Sequence, residues 1–177
     1  RLVALLETSE KSGIMVTPAR EVVDIWRAKS RTLEGIEAYD ERTVTLSGSS
    51  EPERMSAVLA SGGLPSFLGA TLPLGRYFAP EALVSNGPHV VVLGHGLWQR
   101  RFGGRTNALG ETLEIDGKPY TVIGVMPTDF TIPSMGGGPA SQLWLPLPPG
   151  TAETRRQAVA RLRPGVTPEQ ATAELGS

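Results

Sequence analysis

Hydrophobic and polar positions change period several times along this chain, and the changes mark out its elements. The clearest run begins at Val90-Val91-Val92-Leu93, four consecutive apolar residues of the kind that form a strand buried on both faces, stopped by Gly94. A helix is expected next, with Leu97, Trp98 and Phe102 able to share a face and Gly103-Gly104 placed as a left-handed stop. Thr112–Ile115 and Tyr120–Val125 then flank Asp116-Gly117, the dipeptide best suited to the positive φ angles of a tight hairpin turn.

Elsewhere the pattern is shorter. Leu2–Leu6 reads as a strand, and Ser9–Gly13 as a polar turn. Thr17-Pro18 reads as an N-cap with proline at the first helical position, opening a helix to about Ser30 whose core stripe is Val22, Ile25 and Trp26. Between Leu33 and Gly62, alternating runs predict two antiparallel strands around Gly48–Pro52, followed by one helical turn at Leu64–Leu68 and a Pro- and Gly-punctuated connection over 70–88. Ser134–Ser141 contains three consecutive glycines and is expected to be a flexible loop, Leu143–Leu147 a strand, and Ala158–Leu162 another. Thr167-Pro168-Glu169-Gln170 has the layout of a capping box, with Val166 and Ala171 as a hydrophobic staple opening the last helix.

Composition narrows the picture. A chain of 177 residues with 40% hydrophobic and 20% charged content is ordinary for a globular fold of one domain or two small subdomains. Its 21 glycines and 15 prolines favour many short elements over long helices. A net charge of -1 argues against nucleic acid or an anionic membrane surface as the main partner, and Arg100, Arg101 and Arg105 make only a small basic spot. Having no cysteine, the sequence can form neither disulfides nor thiolate metal sites. No apolar run approaches the ~20 residues that span a bilayer.

Candidate chemistry is sparse. The strand-Gly94-His95-Gly96-helix run invites a phosphate-loop reading, but a dinucleotide fingerprint needs a third glycine where Gln99 stands, so a plain turn is the better reading. His89 and His95 are the only histidines, and no nucleophile elbow, zinc-binding helix motif or Walker A sequence supports either; His95 is expected to cap or pack at the helix start. Asp24, Asp40, Glu111, Glu114, Asp116 and Asp129 are ordinary surface residue types, and sequence alone brings no two of them within acid/base distance. Trp26, Trp98 and Trp144 lie in apolar stripes, where core packing is the default. On this reading there are no catalytic, cofactor-binding or metal-binding residues, no cofactor, and no enzyme activity.

Five segments in order carry a family resemblance: Ser66-Phe67-Leu68-Gly69 with Leu74-Gly75-Arg76-Tyr77-Phe78; residues 90–104; residues 109–127; Leu143–Leu147; and Val159–Leu175. Together they resemble the MacB-like periplasmic core domain of FtsX/MacB-type ABC transporter permeases, over nearly the whole chain. Arg105-Thr106 stands where the family has Asp-Pro, and Ala79-Pro80-Glu81 where it has an acidic cluster.

The resemblance implies an α+β fold: a porter-like subdomain of two βαβ-type units, residues 1–32 and 156–177, split by insertion of a β-rich second subdomain, residues 33–155. It also implies a non-catalytic extracytoplasmic domain, at the periplasmic face of a bacterial cytoplasmic membrane between two transmembrane helices, that couples helix motion to substrate export or to action on a partner protein. The partners implied are the permease's own transmembrane helices, a cytoplasmic ATPase subunit, a periplasmic adaptor protein and a second permease copy. A free-standing extracytoplasmic binding module is the alternative. The ends of the chain echo one another, LVALL and AVARL each leading to Val-Thr-Pro and a helix (Val16-Thr17-Pro18 and Val166-Thr167-Pro168), so the two ends are expected to pack together. The second unit lacks a final strand, which leaves a sheet edge exposed or paired with another molecule.

Overall fold

The fold is that of a computed structural model in which residues 1–8, 11, 13, 15–48, 51–132, 141–148, 150 and 154–176 are described. The expected turn at Ser9–Gly13 and loop at Ser134–Ser141 lie largely outside the described residues. In chain order the first elements are β1 (Leu2–Leu5), β2 (Glu7–Thr8), β3 (Met15–Val16), α1 (Arg20–Lys29), β4 (Leu33–Ser47), β5 (Glu53–Ala60) and α2 (Leu64–Phe67). They are followed by β6 (Leu74–Gly75), β7 (Val90–Leu93), α3 (His95–Phe102), β8 (Thr112–Ile115), β9 (Lys118–Val125), β10 (Leu143–Pro146), β11 (Gln157–Leu162) and α4 (Pro168–Leu175). This is a mixed α+β fold, rich in sheet and with few helices. The chain forms two compact units, Arg1–Tyr39 with Gly150–Ser177, and Asp40–Pro149.

In the first unit β11 lies between β1 and β4 and is antiparallel to both, with Val3 opposite Ala160 and Ala160 opposite Ile36. β1 and β4 therefore run parallel, and β1-α1-β4 is a βαβ unit with β11 inserted between its strands. β11-α4 contributes a further strand and helix, and among the described residues β1 is an edge strand of the sheet. The βαβ unit and β11-α4 bury one core, in which Leu5, Ile36 and Ala160 of the sheet meet Val23 of α1 and Ala171 of α4, with Trp26, Val166 and Leu175 packed against it. Each leucine, isoleucine or valine side chain fully removed from water here contributes about 1.5–3 kcal/mol.

Two details of α1 differ from the sequence reading. Thr17 does not cap it: the helix starts later, Ala19 is the N-cap residue, and no side chain caps it. The Ala19 amide donates to Glu7 Oε2 (3.1 Å), the Arg20 amide to the Thr154 carbonyl (2.9 Å), and Ala19 bridges Arg155, so long-range partners satisfy groups that a local cap would have served. The inward stripe is Val23 and Trp26, whereas Ile25 is 45% exposed, because at 3.6 residues per turn a position two after Val23 lies on nearly the opposite face. Thr167, in contrast, caps α4 with the full reciprocal capping box.

The second unit is organised around β7, whose four residues are all buried. β10 lies antiparallel on one side of β7 and β9 parallel on the other, so β7-α3-β9 is a crossover unit. β8 and β9 form the expected hairpin, with Asp116 at φ 49 and Gly117 at φ 78. β4 and β5 are hydrogen-bonded neighbours, and β5 runs parallel to β10. The 70–88 connection holds the short strand β6 and a 3₁₀ turn at Pro80–Leu83.

Candidate functional site

α3 begins where β7 passes beneath the chain entering β10. Gly94 is needed there, because a Cβ atom would stand 2.6 Å from the Ser141 carbonyl oxygen. The Gly94 amide donates to the Gln142 carbonyl (2.8 Å), which fixes the start of the helix. A cleft of about 390 Å³ opens beside this turn, lined among others by His95, Arg100, Met126, Asp129, Phe130 and Trp144. His95 does not cap the helix; its ring packs edge-on against Trp98 at 5.3 Å between centroids. Arg100 is held by Glu53 Oε1 and Gln142 Oε1, both at 2.9 Å. Among the described residues this cleft has polar and apolar walls but no aligned nucleophile and base.

Trp144 is buried, as expected, and packs against Phe130, but Trp98 is not a core residue. Its indole N–H donates to the Arg105 carbonyl (2.9 Å), which holds the ring at the rim while Leu97 fills the core beneath. Arg105 in turn donates to the Phe102 carbonyl at the end of α3, a position where cations complement the helix dipole.

Of the candidate carboxylates, Glu111 and Glu114 line one open groove, and both are exposed. Asp24 pairs with Arg20 and Arg27 on the outer face of α1, Asp40 pairs with Arg42, and Asp116 accepts from the Thr45 amide at 2.8 Å. Glu111 and Glu114 flank the start of β8 and its outward face, and Asp129 occupies a turn at φ 57. Among the described residues no group of three or more His, Asp or Glu could hold a metal ion, and no helix is long and apolar enough to cross a membrane.

A different carboxylate, Glu174, is the most heavily engaged group. It accepts from Ser30 Oγ (2.9 Å), the Arg31 amide (2.7 Å), the Thr32 amide (3.0 Å) and Thr32 Oγ1. The Thr32 hydroxyl and the Arg31 amide are the main causes that hold its pKa down to about 2, with Ser30 and the Thr32 amide adding to them. One residue on, the Leu175 carbonyl accepts from Trp26 Nε1 (3.3 Å). The last turn of α4 is thereby fastened to the end of α1 and the start of β4. Nothing in the sequence singles out Glu174, because its partners lie over 140 positions away.

The sequence profile of the MacB-like periplasmic core domain matches residues 6–177. The chain belongs to that family. The match places the MacB-like domain on the extracytoplasmic face of the membrane, as part of an ABC transporter permease, and so implies membrane helices and an ATPase partner. The family is one of non-catalytic transporter domains.

Solved structures agree on the fold. The periplasmic region of MacB from Actinobacillus actinomycetemcomitans is similar with a TM-score of 0.70 at 14% identity, over 98% of this chain and 78% of that one. The extracellular domain of the noncanonic ABC-type transporter YknZ from Gram-positive bacteria gives 0.69 at 13% identity, over 100% and 89%. A domain of a putative permease protein from Porphyromonas gingivalis gives 0.69 at 18% identity, over 98% and 80%. No protein of curated function matches the chain.

Proposed function

We propose that this domain carries out no chemistry and passes motion of the permease's transmembrane helices to substrate export or to a partner protein. The observation that carries this reading is the fastening of α4 to the end of α1 and the start of β4 through Glu174 and Trp26, in a unit whose core draws on both ends of the chain. A displacement entering at either β1 or α4 is then felt in one packed body, since close-packed cores transmit strain rather than absorb it. ATP is hydrolysed by a separate cytoplasmic subunit, and a periplasmic adaptor and a second permease copy are the further partners. The porter-like part is the unit Arg1–Tyr39 with Gly150–Ser177, which takes in the first half of β4, and the β-rich insertion is Asp40–Pro149.

The test uses the full-length permease and its ATPase subunit in proteoliposomes. Glu174→Ala, checked for unchanged expression and folding, lowers export while ATP hydrolysis persists. Export equal to that of the parent protein would overturn the coupling role.

A further inference from the structure

A second cleft, of about 260 Å³, lies in the Asp40–Pro149 unit around the only other histidine. Its floor is apolar, formed by the buried side chains of Val44, Leu59, Ile115 and Leu145. At the rim, His89 stacks on Tyr120 with centroids 4.9 Å apart, and Arg42 and Lys118 add two cations from β4 and β9. Among the described residues neither the Lys118 ammonium nor the Tyr120 hydroxyl has a hydrogen-bond partner, and Arg42 spends itself only on a loose, exposed pair with Asp40 at 3.5 Å. Asp116, the one carboxylate among the described residues that line the cleft, is already engaged with the Thr45 amide.

The rim therefore offers unused donors above an apolar floor. Burial, and next the Asp116 carboxylate, push the Tyr120 pKa up against the opposing effect of Arg42, so its hydroxyl stays protonated and able to donate at neutral pH. The two rim cations and the Asp116 carboxylate leave one net positive charge, which a single carboxylate balances. The volume of about 260 Å³ lies just below the range for drug-sized ligands, which suits a small molecule.

We propose that this cleft binds a small amphipathic carboxylate, its apolar body on the Val44/Leu59/Ile115/Leu145 floor and its carboxylate taken by Lys118, Arg42 and the Tyr120 hydroxyl. The proposal is independent of the coupling role. A fatty acid and an apolar peptide C-terminus share this chemistry, so octanoate and N-acetyl-leucine are the two probes, and the tighter one identifies the source.

The experiment is an NMR titration of the isotope-labelled chain. At least one probe gives saturable shifts of the His89, Lys118 and Tyr120 amides in the millimolar range, and octylammonium gives none. Lys118→Gln and Arg42→Gln, both exposed strand positions, each weaken binding by about fivefold or more, since a hydrogen bond to a charged group is lost. Absence of saturable shifts with both probes, equal shifts with octylammonium, or undiminished affinity in both variants would overturn the proposal.

Discussion

Gly117→Val isolates backbone strain from crowding. Gly117 holds φ 78 in the β8–β9 turn, and a Cβ atom added there meets nothing within 4 Å, so the substitution costs only what a β-branched residue loses in the left-handed region. That cost is about 2 kcal/mol. For a chain of this size it lowers Tm by about 4–8 °C. The loss is not confined to the turn tip, because Asp116 is tied to Thr45 through both its amide (2.9 Å) and its carboxylate (2.8 Å). Hydrogen exchange at β8 and at the end of β4 therefore quickens along with the fall in Tm seen by circular dichroism. Thr121→Val, the same side chain placed at an exposed strand position, is the control and leaves Tm nearly unchanged. A Gly117→Val protein melting with the parent would refute the reasoning, since it would mean the turn relaxes to a negative φ at no cost.

Thr167→Ala removes the α4 capping box and costs about 1 kcal/mol in urea unfolding, whereas Thr17→Ala, whose side chain caps no helix, is close to neutral. Trp144→Ala empties a fully buried site and costs about 3–5 kcal/mol by the same assay. The pKa of Glu174 is lower in the folded state than its ordinary value, so its contribution is complete above pH 4.5 and is lost as pH falls toward about 2; Glu174→Gln therefore lowers stability at neutral pH, converges on the parent near pH 2, and has a flatter profile between. Calorimetry with ATP and NAD detects no binding to the chain, and micromolar affinity for either would contradict a domain without phosphate-binding machinery.

Elements whose signals are local were legible in the sequence. Asp116-Gly117 dictates its own turn, Val90–Leu93 is apolar enough to be central, and Gly103 ends α3 at φ 62. The Thr-Pro pairs show where local reading stops. Thr167 has Gln170 three residues on to complete the box; Thr17 has Arg20, whose side chain reaches the Gly150 carbonyl instead. The difference is present in the sequence, but the partners that replace the cap, Glu7 and Thr154, emerge only on folding. The two strands either side of Gly48–Pro52 were legible, but the full length of β4 was not, because its buried positions Leu33, Ile36 and Tyr39 stand three apart before Val44 and Leu46 resume alternation. Both clefts and the Glu174 contacts depend on residues distant in sequence, and no periodicity encodes such meetings.

Hydrogen exchange of the full-length permease with its ATPase, compared between the nucleotide-free and the ATP-trapped states, tests the coupling claim most directly. The account predicts that amide protection at the end of α1, the start of β4 and the last turn of α4 changes together between the two states. Identical exchange throughout these segments in both states would contradict it.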